Sequence, residues 1–238
     1  MKALGKKRSA GGWEFEMRKE KEAVLFDMDG VVLDSMPWHV KAWQEAFREF
    51  GLVVPEEALY LHEGAIEAET SRKIFEDQGV SPTEELFRKV LRRQRELFRQ
   101  KYWPFVKPFP EIPDLLSDLR REGRRLALVT SSHREILEEI LPHSLRELFH
   151  FILTGDQVRR RKPHPEPYLL ACERLSAPRE TTLAVENAPA GIKSAKGAGL
   201  FCVALTTTLP PKHLKEADLI LSSHRDLYRF LKNGRKDA

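Results

Sequence analysis

Short apolar runs punctuate the chain, and longer amphipathic stretches lie between them. The runs are Ala23–Phe26, Arg125–Thr130, Phe149–Thr154, Thr182–Val185, Phe201–Leu205 and the brief Leu219–Leu221. They are continuous rather than alternating, the pattern of strands covered on both faces. Between them, Ile112–Glu122, Arg134–Leu141, Pro165–Leu175 and Pro189–Ala198 read as helices. Strands and helices in strict alternation predict an α/β fold, a doubly wound parallel-sheet (Rossmann-like) core. Ser132 and Glu135 stand in capping-box spacing and predict that Ser132 caps the second helix.

One interval breaks the alternation. Residues 37–105 hold no convincing strand but several amphipathic helices. Val40, Trp43, Ala46, Phe47 and Phe50 recur at helical spacing, as do Leu86, Val90, Leu91, Leu97 and Phe98. This predicts a helical cap domain inserted into a core formed by residues 21–36 and 106–238. Prolines mark both crossings, Pro37 on entry and Pro104, Pro108 and Pro110 on exit, where they restrict the backbone of a hinge. Residues 1–20 lack apolar periodicity and read as an N-terminal extension, with Met17 an alternative start.

Composition narrows the setting. The 238 residues are 41% hydrophobic, enough for a sizeable core without staples. Lys+Arg 40 against Asp+Glu 36 leaves +4, too mild a balance to imply nucleic acid. Arg92, Arg93, Arg95 and Arg99 read as a solvated face, because no aromatic residues interleave with them. Cys172 and Cys202 have no metal or redox spacing and read as reduced core residues of a cytoplasmic protein. No apolar stretch is long enough to span a membrane, and the basic N-terminus lacks a signal peptide's apolar segment. The expected partner is a small substrate, with no nucleic acid or membrane, acting on a monomer or weak homo-oligomer.

The chemistry concentrates where strands end. Asp27 and Asp29 follow the first strand two residues apart, so both can face one ligand, and Gly30 permits a sharp turn after them. Paired carboxylates repel, and a cation relieves them. The competing reading is a solvated acidic turn. In a parallel sheet, ligands gather at the carboxyl ends of the strands. Thr130 and Ser131 follow the second strand, Lys162 the third, and Glu186 and Asn187 the fourth. Carboxylates, hydroxyls, an ammonium and an amide on one edge suit a phosphoryl group held beside a metal.

Four motifs in order, DMDGVVLDS, VTSS, KPHPEPY and VENAPAGIKSAKGAG, resemble the haloacid-dehalogenase superfamily over residues 22–225. The resemblance is to its β-phosphoglucomutase-like branch with a helical cap. It implies Mg²⁺ and an aspartyl-phosphate, with Asp27 the nucleophile and Asp29 the general acid/base. It implies further that Thr130 and Lys162 hold phosphoryl oxygens, that Glu186 and Asn187 serve the metal with the two aspartates, and that His39 helps order Asp29 at the substrate. Asn187 stands where an acidic residue is commoner, so charge must come from elsewhere, and Glu63 in the cap is the candidate. His62-Glu63-Gly64 with Glu186-Asn187-Ala188-Pro189 looks closest to the family's inorganic pyrophosphatase group. A mutase is disfavoured, since no arginine follows Gly64 closely. Inorganic pyrophosphate is the leading substrate expectation. A phosphatase of small metabolites such as sugar phosphates is the alternative, and a non-catalytic, nucleic-acid-associated protein the third reading.

Overall fold

The computed structural model describes residues 21–62, 72–76, 79–81 and 83–233. Six strands, β1 (Ala23–Phe26), β2 (Arg125–Val129), β3 (Phe151–Leu153), β4 (Thr182–Glu186), β5 (Phe201–Leu205) and β6 (Leu219–Leu221), form one sheet. Every pairing is parallel, in the order β3-β2-β1-β4-β5-β6. Each apolar run proves to be two interleaved stripes, because neighbouring side chains on a strand face opposite ways. Val24, Phe26, Leu126, Leu128 and Val185 pack into one layer; Leu25, Ala127, Val129, Ala184 and Ala204 pack into the other. The third strand is shorter than its apolar run predicts. His150 N–H still bonds Leu126 O at 2.8 Å, while its ring Nδ1 accepts the Leu126 N–H at 2.9 Å.

The insertion after β1 holds α1 (Met36–Glu49), α2 (Glu56–His62), α3 (Arg72–Glu76) and α4 (Glu84–Leu97). A π-helical turn, Phe98–Tyr102, and a 3₁₀ turn, Trp103–Phe105, follow. α4 starts where Thr83 Oγ1 accepts the Leu86 N–H at 3.1 Å, with Glu84 and Glu85 on its positive first turn. α1 packs on α4 through Val40, Trp43, Phe47, Val90 and Leu97, all buried. Each such side chain contributes about 1.5–3 kcal/mol on burial. The two crossings run side by side, with Asp34 N–H on Lys107 O at 2.8 Å and Phe109 N–H on Val32 O at 3.1 Å. The remaining helices are α5 (Ile112–Arg121), α6 (Arg134–Ile140), α7 (His143–Arg146), α8 (Glu166–Arg174), α9 (Pro189–Gly197) and α10 (His224–Asn233).

The chain leaves β1 toward β2 on one side and returns to β4 on the other. Loops diverge at that reversal, and a crevice opens at the carboxyl ends of β1 and β4. Among the described residues no helix is long and apolar enough to cross a membrane.

Candidate active site

Asp27 sits at the crevice because β1 delivers it there; its N–H still bonds Val185 O at 3.0 Å. The chain then hooks back, with Gly30 N–H on Leu33 O at 2.8 Å. Gly30 takes φ +83°, and a Cβ on it would fall 2.1 Å from Asn187 Nδ2. Only glycine meets both conditions.

Lys162 arrives from the loop after β3 and spends all three ammonium protons. Nζ lies 2.7 Å from Asp27 Oδ1, 2.7 Å from Glu186 Oε1 and 2.9 Å from Val129 O. Tyr168 of α8 donates to the same Glu186 Oε1 at 2.5 Å. Asn187 N–H meets Glu186 Oε2 at 3.2 Å. The Glu186 carboxylate is thus engaged at both oxygens, in contacts that fix Lys162. Gly191 opens α9 closely against it: a Cβ there would lie 2.0 Å from Oε1. Burial alone would drive protons off Lys162, but the Asp27 and Glu186 carboxylates reverse this and hold its pKa high. Burial pushes Asp27 up to about 8, with Glu186 and Asp29 adding to the rise and Lys162 opposing it.

Asp29 has its own supports. Ser35 Oγ donates to Oδ1 at 2.6 Å and Ser132 Oγ to Oδ2 at 3.1 Å. His39 Nε2 stands 3.4 Å from Oδ1, its ring stacked on Phe98 at 3.9 Å between centroids. Burial would raise the Asp29 pKa, yet the His39, Ser35 and Ser132 contacts together lower it. One expectation changes here. Ser132 does not cap α6: the N-cap position is His133, without a side-chain cap, and Asp156 Oδ1 accepts the Arg134 N–H at 3.0 Å.

Thr130 Oγ1 accepts the Ser132 N–H at 3.0 Å and is buried, while Ser131 lines the cavity. Asn187 Nδ2 donates to Thr208 Oγ1 at 3.2 Å. Its buried Oδ1 has no hydrogen-bond partner among the described residues. That unpartnered oxygen, beside two aspartates and an excess of carboxylates over ammonium groups, fits a hard cation taking oxygen ligands. No cluster of three or more His, Cys, Asp or Glu in ligating arrangement occurs among the described residues; Asn187 is the donor such a count omits. Glu63, with Gly64, lies outside the described residues.

Asp27, Asp29, His39, Ser131, Lys162, Glu186 and Asn187 line a cavity of about 120 Å³ roofed by α1 and α4, whereas Thr130, expected to hold phosphoryl oxygens, does not border it. Trp43, expected in the interior of the insertion, is buried and also borders it. The polar lining residues outside the site expected from sequence are Gln94, Arg95, Ser132, His133 and Arg161. Tyr168, within the third motif, was likewise missed as the group that orients Glu186.

The pattern of the haloacid dehalogenase-like hydrolase family matches residues 24–205. A phosphorylated carbohydrates phosphatase from Thermotoga maritima is 31% identical over 75% of this chain and 82% of its own length. A protein of Caldanaerobacter subterraneus subsp. tengcongensis named "Putative pyrophosphatase PpaX" is 28% identical over 88% of this chain and 93% of its own. Among solved structures, a "Putative beta-phosphoglucomutase from Bacteroides vulgatus" superposes with a TM-score of 0.79 at 29% identity. It covers 96% of this chain and 100% of that one.

Proposed function

This chain belongs to the haloacid dehalogenase-like hydrolases and is a phosphatase of phosphorylated small molecules; on that footing we propose that it is a Mg²⁺-dependent phosphohydrolase that works through an aspartyl-phosphate on Asp27, with inorganic pyrophosphate its substrate. The observation that carries the mechanism is the 2.7 Å contact between Lys162 Nζ and Asp27 Oδ1 at the end of β1. One carboxylate oxygen is held, and the residue borders the cavity. Lys162 offsets the repulsion between that carboxylate and a phosphate. The helical insertion serves as the cap.

Asp29 handles the proton. Held in its ionised form by three neighbours, it is suited to take a proton from the water that hydrolyses the aspartyl-phosphate. Phosphate departing from pyrophosphate asks less of a general acid than a sugar alkoxide does. The cation would be held by Asp27, Asp29 and Asn187, with Glu63 supplying the charge that Asn187 lacks. When bound it contributes positive charge beside the nucleophile and the phosphoryl oxygens.

The small cavity and the Asn187 departure favour pyrophosphate. The carbohydrate phosphatase among the relatives supports sugar phosphates as the second reading. A cytoplasmic location accords with two buried, free cysteines. The test is phosphate release from pyrophosphate and a panel of hexose phosphates, with Mg²⁺ and with excess chelator. Selective, chelator-sensitive hydrolysis of pyrophosphate is expected. Preference for hexose phosphates would move the assignment to the second reading, and undiminished turnover in chelator would remove the metal.

A further inference from the structure

The Asp27–Lys162 chemistry uses only part of the cavity. α4 contributes a different set of groups. Gln94 is 5% exposed and lines the cavity, yet its side-chain amide makes no hydrogen bond among the described residues. The amide faces the cavity, where it can donate to a bound group. Arg95 follows at the exposed edge of the same cavity. Of its neighbours, Arg88 pairs with Glu84, Arg93 with Glu49 and Arg99 with Glu139, while Arg92 has no ion pair among the described residues but does not border the cavity. Arg95 forms no ion pair among the described residues.

Arg161 reaches the cavity from the core, where the loop before Lys162 places it. Nε donates to Gly155 O at 3.1 Å and Nη2 to His133 Nε2 at 2.7 Å. A guanidinium only donates, so His133 Nε2 accepts and the ring proton sits on Nδ1. Arg161 also has no carboxylate within ion-pair distance among the described residues. Burial and the Arg161 charge lower the Arg95 pKa. Burial and both guanidiniums lower that of His133. Glu135 and Asp156 temper this charge, yet two guanidiniums without an ion pair among the described residues and an amide facing the cavity leave donors there for an anion.

We propose that Gln94, Arg95, Arg161 and His133 form a second anion subsite, which selects substrates carrying a phosphate or carboxylate besides the transferred phosphoryl group. This rests on the phosphohydrolase reading but not on pyrophosphate itself. Charge-assisted bonds to such a group favour it over an uncharged remainder of similar size. Half of the subsite belongs to the insertion and half to the core, so a doubly anionic substrate also ties the two together.

The test compares kcat/KM for inorganic pyrophosphate, phosphoglycolate and fructose 1-phosphate, in wild type and in Gln94→Leu, Arg95→Ala, Arg95→Lys and Arg161→Ala. Wild type should prefer pyrophosphate or phosphoglycolate, and which one it prefers identifies the second group as phosphate or carboxylate. Arg95→Ala and Arg161→Ala should each lower kcat/KM on that substrate by about thirtyfold, chiefly through KM, as expected for one charged hydrogen bond. Fructose 1-phosphate turnover should barely change, and Arg95→Lys should recover part of the loss. Equal losses on all substrates, no loss on the doubly anionic ones, or a wild type without preference would each overturn the subsite while leaving the phosphohydrolase intact. Wild-type inactivity on all three would overturn both.

Discussion

The two walls of the cavity are built on opposite principles. On the core wall, Lys162, Glu186, Tyr168 and Asn187 are almost fully buried and cross-bonded. Gly30 and Gly191 let backbone close on side chain there. On the insertion wall, Gln94 and Arg95 ride on a helix whose other charged residues lie off the cavity, Arg88 and Arg93 among them paired with Glu84 and Glu49. A rigid, saturated wall can hold a nucleophile and its counter-charge in one geometry. A wall with unspent donors can change its residues without disturbing that geometry. Chemistry resides in the first; selection resides in the second together with Arg161 and His133 at the core's edge.

The sharpest break would come at the nucleophile. Asp27→Asn should cut hydrolysis of every substrate by at least about 10⁴-fold, with the circular dichroism spectrum unchanged. Loss on one substrate alone would mean that the saturated wall around Asp27 and Lys162 also selects, and the contrast would fail. Next in size is Lys162→Met. It strands the buried Asp27 and Glu186 carboxylates, so chemical unfolding should report about 3–5 kcal/mol lost. Arg95→Ala at the exposed edge should cost almost nothing in the same assay. Gly191→Ala forces a methyl into the Glu186 carboxylate and should cost about 1–3 kcal/mol, together with activity on all substrates. A tolerated methyl would show that the core wall is looser than its contacts indicate.

The smallest effect lies away from the cavity, beneath the hook that carries Asp29. His224 is buried, its Nε2–H donating to Val31 O at 2.7 Å and its ring stacked on Phe109. Burial lowers its pKa below 6.5, partly offset by that bond. A lowered histidine favours the fold while neutral, so its contribution is complete above pH 6.5 and is lost as pH falls through the folded value. The slope is at most about 1.4 kcal/mol per pH unit. Thermal melting between pH 7 and pH 5 should fall more steeply in wild type than in His224→Phe. Parallel curves would exclude His224.

The sheet was legible because a strand buried on both faces must be apolar throughout, and β1 and β5 begin and end where their apolar runs do. The core wall was legible where its groups stand at or just after strand ends, as Asp27, Lys162, Glu186 and Asn187 do. Ser132 misled, because its spacing to Glu135 imitates a cap, whereas its partner, Asp29, lies far away in sequence. The insertion wall was illegible for a related reason. Arg95 looks like its solvated neighbours until the fold sets it near Arg161, and one glutamine on an amphipathic helix carries no signal of the cavity it enters. Tyr168 stood in plain sight, but only packing shows that its hydroxyl is aimed at Glu186.

The central claim is that a phosphoryl group passes through Asp27. The direct measurement is an acid quench during turnover of pyrophosphate, followed by proteolysis and mass spectrometry of the peptide spanning residues 23–33. The account predicts a phosphoryl adduct on Asp27 that appears before steady state, decays as substrate is exhausted, and is absent from Asp27→Asn. An adduct on another residue, or an Asp27 peptide that stays unmodified while Asp27→Asn continues to release phosphate, would contradict it.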